Sequence, residues 1–338
     1  MARLVAPGRE RDPDRRHGTV ALVKTPFGEL EIADAHAHFF SHNFFRTLAA
    51  SLKSPEILKE KLPFEFPSED PAELAARWAA ELDRHGVARS VLIASVPGDE
   101  ESVAAAARAF PERFIPYFML NPRAPDALER AKRAFRELGL RGVCLFPAMH
   151  HFHLWEKDLR PILEVVAEHE GIAFVHCGIL KVGVRDKLGL PSPFDIRFAN
   201  PLDVAGVARS FGTISFVLPH FGCGFFRELL LVASECENVH TDTSSSNSWI
   251  EKLPEPMSLK RVFERALAVI GPERILYGSD SSFFPRGFLR DHLEGQLKIL
   301  AEIGVTPAHA AEIFGGNLTR LAALNKAKER AGHGHPNA

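Results

Sequence analysis

Residues 31–40 read EIADAHAHFF, so His36 and His38 stand one residue apart at the end of an apolar run. Two imidazoles at that spacing can share one metal ion if they lie on a strand, because side chains two apart point to the same side. The spacing alone is weak evidence. With 16 histidines in 338 residues, about one H-x-H is expected by chance, and the chain holds three: His36/His38, His151/His153 and His333/His335. The last lies in the closing stretch AKERAGHGHPNA, which reads as a loose solvated tail.

Three further residues give the first pair a setting. His176 closes the apolar run IAFVHCG, His220 closes TISFVLPHF, and Asp280 closes RILYGSD. Each has a plainer reading when taken alone. A buried histidine is commonly hydrogen-bonded core, and an aspartate after a strand commonly caps a turn. Together they place four imidazoles and a carboxylate at four strand ends. Nitrogen and oxygen donors without thiolate suit Zn²⁺ in an open catalytic site, with Mn²⁺ or Fe²⁺ as alternatives.

The elements that would position these groups recur along the chain. Short runs rich in β-branched and aromatic residues fall at 31–39, 89–96, 113–120, 141–147, 172–178, 213–221, 239–244 and 274–280. Helical patterns fill the gaps, several of them ending on glycine. Eight strands, each followed by a helix, predict a parallel sheet with right-handed crossovers, closed into a (β/α)8 barrel of the α/β class. A doubly wound open sheet is the alternative, but the first strand is followed by FFSHNFF rather than a glycine-rich nucleotide fingerprint. In a barrel the active site forms at the C-terminal strand ends, where the five residues fall. We expect residues 1–29 to be an N-terminal extension, 30–325 the barrel and 326–338 a flexible tail.

Bulk composition narrows the function classes. The formal net charge of −2 gives no general pull toward nucleic acid or an anionic membrane. Cys144, Cys177, Cys223 and Cys236 are far apart, which suggests neither a disulfide framework nor a cysteine-bound structural zinc. The opening MARLVAPGRERDPDRRHG lacks the apolar core of a secretory signal, and no apolar stretch is long enough for a membrane span. The expectation is a cytoplasmic enzyme acting on a small molecule, with a homo-oligomer left open.

DAHAHF, FVHCG, VLPHFG, YGSD and the late FGGNLTRL (314–321) together resemble the metal-dependent hydrolase barrels of the amidohydrolase superfamily. Within it, the chain is similar to the amidohydrolase-2 group, which includes aminocarboxymuconate semialdehyde decarboxylase-like enzymes. The resemblance covers roughly residues 30 to 325. It implies metal ligation by His36, His38, His176 and Asp280, a catalytic role for His220, and a structural role for the closing Gly-Gly-Asn and Arg320. The fourth strand departs from the pattern. Relatives with two metals carry a bridging residue on the fourth strand, often a carboxylated lysine, and relatives in this group often read GVKLHP there. Here the strand reads GVCLFP, with Cys144 and Phe146 at those positions. One divalent ion is therefore expected. Cys144 reads as a small buried apolar residue rather than a soft ligand.

In such a site the metal activates a water, Asp280 orients it and takes its proton, and His220 polarises the substrate or moves a proton. The leading reading is hydrolysis of a small organic amide, lactone or ester. The alternative is non-oxidative decarboxylation of an aromatic or enol carboxylic acid with the same ligands. A barrel that only binds metal or a small molecule is a third reading, disfavoured by the complete acid–base pair of His220 and Asp280.

Phenylalanine crowds the expected mouth: Phe39, Phe40, Phe44, Phe45, Phe146, Phe152, Phe221, Phe225, Phe226, Phe283, Phe284 and Phe288, with Trp155. These rings line an apolar pocket or pack helix tops onto the barrel, and the sequence leaves both open. Arg185, Arg197 and Arg286 lie in loops after the fifth and eighth strands, where a substrate carboxylate could pair with one of them.

Overall fold

The computed structural model describes residues 22–52, 54 and 56–323. The remainder of the expected extension and the whole of the expected tail, with His333 and His335, lie outside the described residues. Nine strands form one sheet in sequence order: β1 (Leu22–Thr25), β2 (Gly28–Phe39), β3 (Val87–Ala94), β4 (Phe114–Leu120), β5 (Gly142–Leu145), β6 (Ile172–Val175), β7 (Ser215–Leu218), β8 (Val239–Asp242) and β9 (Ile275–Leu276). β1 and β2 form an antiparallel hairpin. Its turn is tied by the Thr25 hydroxyl, which donates to the Gly28 carbonyl at 2.8 Å and accepts from the Phe27 N–H at 3.1 Å. Residues 22–29, expected as part of an extension, thus add a strand to the edge of β2.

From β2 to β9 every pairing is parallel, and the sheet closes on itself. The Ala35 N–H donates to the Tyr277 carbonyl at 2.8 Å, the Asp280 N–H to the His36 carbonyl at 2.8 Å, and the His38 N–H to the Ser281 carbonyl at 2.7 Å. The buried Asp34 carboxylate fastens the same seam, accepting the Ser279 N–H at 2.9 Å and the Ser279 hydroxyl. Each of the eight expected strands is present as β2 to β9. The last is the shortest: it spans Ile275–Leu276, so Asp280 lies four residues beyond it rather than at its end.

β4 shows how the chain fills both faces. Ile115, Tyr117 and Met119 point into the barrel, while Phe114, Phe118 and Leu120 face the helices. This period-two split, buried on both faces, is what a parallel strand covered by helices requires. The interior also holds Cys144, Phe146, Phe174 and Val217, and Leu318 and Leu321 of the last helix close it from below. Burial pushes the Cys144 thiol well above its ordinary range, so it stays protonated and behaves as a small apolar residue.

His240 on β8 is buried, and its Nδ1 has no hydrogen-bond partner among the described residues. Burial, helped by the charges of Arg274 and Arg320, pulls its pKa down to about 4. The folded protein therefore holds His240 neutral while the unfolded chain takes up a proton below pH ~6.5. Stability from this group is complete above that value and is lost as pH falls toward 4, by about 3 kcal/mol at the lower end. A His240→Gln variant should show a shallower decline in unfolding free energy between pH 7 and 4.5. Parallel declines for variant and wild type would show that His240 is not a source of the acid sensitivity.

Candidate metal and catalytic site

His36 and His38 reach the barrel interior because β2 is irregular. Asp34 pairs with Ser90, but Ala37 pairs with Leu92, so β2 spends one residue more than β3 over this stretch. Before it, Ala33 and Ala35 face the interior; after it, Ala37 and Phe39 face the helices. An extra residue of this kind inverts which side chains point inward. It turns both imidazoles toward the axis, where His36 meets the edge of Phe174 at a ring separation of 4.9 Å.

The two Nε2 atoms lie 3.3 Å apart. Asp280 Oδ1 approaches His38 Nε2 at 3.2 Å and His36 Nε2 at 3.7 Å. Their other nitrogens are engaged from behind. His38 Nδ1 bonds the Ser95 hydroxyl at 2.8 Å, and His36 Nδ1 lies 2.9 Å from Asp242 Oδ2. Such outer partners fix the ring orientation and leave each Nε2 to face one point. His36, His38 and Asp280 thus offer three donor atoms within 4.8 Å of one another, and the donor set fits a divalent cation.

His220 follows β7 in a tight turn in which His220, Phe221 and Cys223 adopt positive φ of 56°, 52° and 44°. Its ring centroid is 4.9 Å from that of His36 and 5.3 Å from that of His176. His176, just past β6, stacks on Phe146 at 5.4 Å, and its buried Nδ1 has no hydrogen-bond partner among the described residues. It is not among the donors that lie within 4.8 Å of one another. All five expected residues therefore meet at the barrel mouth, with His176 set across from the tight group.

Asp242 was not anticipated, though it ends a strand at the same level as the others. Its Oδ1 accepts the backbone N–H groups of His220 and Ser244, each at 3.0 Å, and the Ser244 hydroxyl. The Ser244 hydroxyl in turn lies 2.9 Å from His36 Nδ1 and 2.8 Å from His220 Nδ1. Asp242 and Ser244 thereby join both histidines in one buried network. The rule that singles out Asp280, a carboxylate at a C-terminal strand end, applies equally to the aspartate of VHTDTS.

The electrostatics follow from this packing. Burial would raise the Asp242 carboxyl, but the charge and hydrogen bond of His36, aided by His220 and Ser244, bring it down to about 2. Burial lowers His36, and Asp242 followed by Asp280 reverses that to leave it raised. Asp280 is opposed by burial yet held below the usual carboxylate range by the His38 hydrogen bond and the charges of His36, His38 and His220. It is ionised at neutral pH, and its own φ is 62°. Burial lowers His38 and His220, and it brings His176 down to about 3 with help from His220 and His36.

Gly178 lets the His176 and His220 loops touch. Its φ is +76°, and a Cβ there would stand 2.1 Å from the Cys223 carbonyl oxygen and 2.4 Å from that of Gly222. Gly178→Ala should cost about 2–4 kcal/mol of stability. An unchanged melting temperature would mean that these loops can part freely.

The expected aromatic crowd divides. Phe39, Phe152, Phe221, Phe226, Phe284 and Phe288 pack helices onto the barrel. Phe146 faces the interior. Phe40, Phe44, Phe45 and Phe283 belong to a separate cluster with Phe64 and Leu188. Phe40 carries that cluster to within 5.9 Å of the His38 ring, centroid to centroid. The loop histidines play other parts, His153 pairing with Asp203 at 2.6 Å and His151 bonding the Pro193 carbonyl.

The amidohydrolase family model matches residues 33–321, and the chain belongs to that family, in its amidohydrolase-2 group. It is an enzyme of that family. No curated protein sequence matches it. Solved structures share the fold at low identity. A TIM-barrel protein from Bordetella bronchiseptica, described as uncharacterized, is 19% identical with a TM-score of 0.61, covering 88% of this chain and 100% of its own. The 5-carboxyvanillate decarboxylase of Novosphingobium aromaticivorans, solved with manganese and 3-methoxy-4-hydroxy-5-nitrobenzoic acid, is 14% identical with a TM-score of 0.59, covering 87% and 97%. A Pseudomonas putida protein assigned as a 2-pyrone-4,6-dicarboxylic acid hydrolase is 19% identical with a TM-score of 0.57, covering 87% and 98%. Among the described residues, no helix is long and apolar enough to cross a membrane.

Proposed function

We propose that this enzyme is a metal-dependent hydrolase of a small organic amide, lactone or ester. The observation that carries the reading is the ionised Asp280 carboxylate, 3.2 Å from His38 Nε2 and open to the mouth with 31% of its side chain exposed. His36, His38 and Asp280 would hold one divalent ion, with His176 the further donor of the set. Zn²⁺ suits these ligands, and Mn²⁺ or Fe²⁺ are alternatives; the manganese in the Novosphingobium decarboxylase supports a divalent ion without choosing among them. Such an ion would supply a Lewis acid that makes water a nucleophile near neutral pH.

The protein's own part is positioning and proton transfer. Asp280 accepts the proton of the attacking water. His220, kept neutral by burial and by His36, lies beside it with Ser244 at its Nδ1, placed to polarise the substrate or to pass the proton taken by Asp280 on to the leaving atom. We assign the catalytic domain to residues 30–325, with the hairpin of residues 22–29 joined to its edge, and place the enzyme in the cytoplasm.

Decarboxylation of an aromatic or enol carboxylic acid is the second reading, and the aromatic surroundings of the histidines favour it. Phe174 and Phe146 line the interior side, and Phe40 lies beside His38. Turnover in ¹⁸O-labelled water separates the two. Label in the product acid is expected for hydrolysis; CO2 released from an aromatic acid without label uptake into the remaining product would overturn the hydrolytic reading in favour of the second.

A further inference from the structure

We propose that Arg286 anchors a carboxylate of the substrate, so that the enzyme takes an organic acid whose charged end rests at the mouth beside Asp280. The inference rests on the catalytic reading above and extends it to substrate class.

Arg185, Arg197 and Arg286, the arginines singled out from the sequence, differ in their surroundings. Arg197 is already neutralised. Its Nε lies 2.9 and 3.0 Å from the two Asp195 oxygens, and its Nη2 lies 2.5 Å from Oδ2. Arg185 folds back on its own loop, donating to the Pro191 carbonyl at 2.8 Å. Among the described residues neither Arg185 nor Arg286 pairs with a carboxylate, but only Arg286 reaches the backbone of Asp280 at the site. Its Nη2 donates to the Ser282 hydroxyl at 2.6 Å and reaches the Asp280 carbonyl at 3.4 Å. Its guanidinium carbon sits 4.5 Å from the centroid of Phe283. Among the described residues only Nη2 is engaged, so Nε and Nη1 keep N–H donors that an anion can use.

The loop that carries Arg286 is braced. The buried Glu81 carboxylate accepts the Phe288 N–H at 3.0 Å, and the Ser281 hydroxyl accepts the Leu289 N–H at 3.0 Å. At Gly287 a Cβ would stand 2.2 Å from Glu81 Oε1, so the loop backs directly onto that carboxylate. Phe283 is stacked at 3.8 Å on Phe64. The guanidinium is therefore held over an aromatic shelf, and little freedom remains to be lost on binding. Lys187 lies on the far side of the shelf, its Nζ 5.7 Å from the Phe64 centroid. The rim thus pairs apolar ring surface with positive charge, which suits an acid with an apolar or aromatic body.

Binding of benzoate and of its neutral isostere benzamide to the metal-loaded enzyme tests this without any turnover. Titrations would use wild type, Arg286→Gln, Arg286→Lys and Lys187→Gln, with metal content and melting temperature recorded for each. Wild type should prefer benzoate. Arg286→Gln should weaken benzoate by about 10- to 100-fold, the range for losing a charged hydrogen-bond pair, and leave benzamide within about twofold. Arg286→Lys should recover part of the loss, and Lys187→Gln should cost far less. No preference for benzoate in wild type, including no binding of either probe, would overturn the anchor. So would equal losses for the two probes, or a loss in Lys187→Gln as large as in Arg286→Gln. A failed anchor leaves the isotope experiment and the Asp280 variant intact, so the two readings fail separately.

Discussion

Asp280→Asn should bind metal only modestly less well than wild type while turnover falls by about 10²–10⁴, the range for loss of a general base. The substitution keeps the size of the side chain and one oxygen donor. It removes the group that hydrogen bonding from His38 and the charges of His36, His38 and His220 hold ionised. Asp280 is the only carboxylate among the five residues first singled out, so on the proposed mechanism ligation and proton acceptance would fall to the same atom pair. The competing role is structural, as a cap on the turn beyond Leu276 whose backbone N–H already bonds the His36 carbonyl. That role predicts lower stability with turnover preserved per folded molecule. Metal content, melting temperature and turnover measured on this one variant discriminate. Near-normal turnover in a metal-loaded Asn variant would refute the catalytic role and the hydrolytic mechanism with it.

A variant carrying both His36→Ala and His38→Ala should lose stoichiometric metal altogether. The two Nε2 atoms, 3.3 Å apart, are among the described residues the only pair of ring nitrogens brought to Asp280 Oδ1 within 4 Å. Asp242→Asn should act more gently, weakening metal affinity by about 10- to 100-fold, because Asp242 orients His36 from behind rather than facing the ion. Elemental analysis after dialysis against a chelator reads both. Metal retained at one equivalent in the double variant would place the site elsewhere. An Asp242→Asn protein that loses metal as completely as the double variant would make Asp242 a ligand, consistent with the alternative grouping of His36, His220 and Asp242.

Much of this architecture is legible in the chain. Alternating apolar runs and helical stretches specify eight βα units, because a strand buried on both faces and a helix buried on one leave different periodicities. The rule that barrel chemistry gathers at C-terminal strand ends then picks out His36, His38, His176, His220 and Asp280 from positions spread over most of the chain. Other features were open to the same logic and were missed. Asp242 sits at such an end, yet an aspartate inside VHTDTS looks like one polar residue among several until its carboxylate is seen to meet His36 and two backbone N–H groups.

What the sequence by itself determined is the set of elements and the residues at their ends, since both follow from local periodicity. What only the tertiary structure decided depends on groups far apart in the chain. The inward turn of His36 and His38 is the sharpest case. Strict alternation from Leu30 and Ile32, which face the helices, would carry His36 and His38 outward as well. The extra residue between Asp34 and Ala37 reverses them, and it exists only relative to the register of β3. The division of the phenylalanines between helix packing and the mouth was likewise invisible, because every ring is apolar in sequence and only its neighbours give it a role. The three loop arginines look alike as well. Arg197 turns to Asp195, while Arg185 and Arg286 bond uncharged groups of their own loops, because the way each side chain turns is set by what packs around it, and periodicity along a strand carries no record of that.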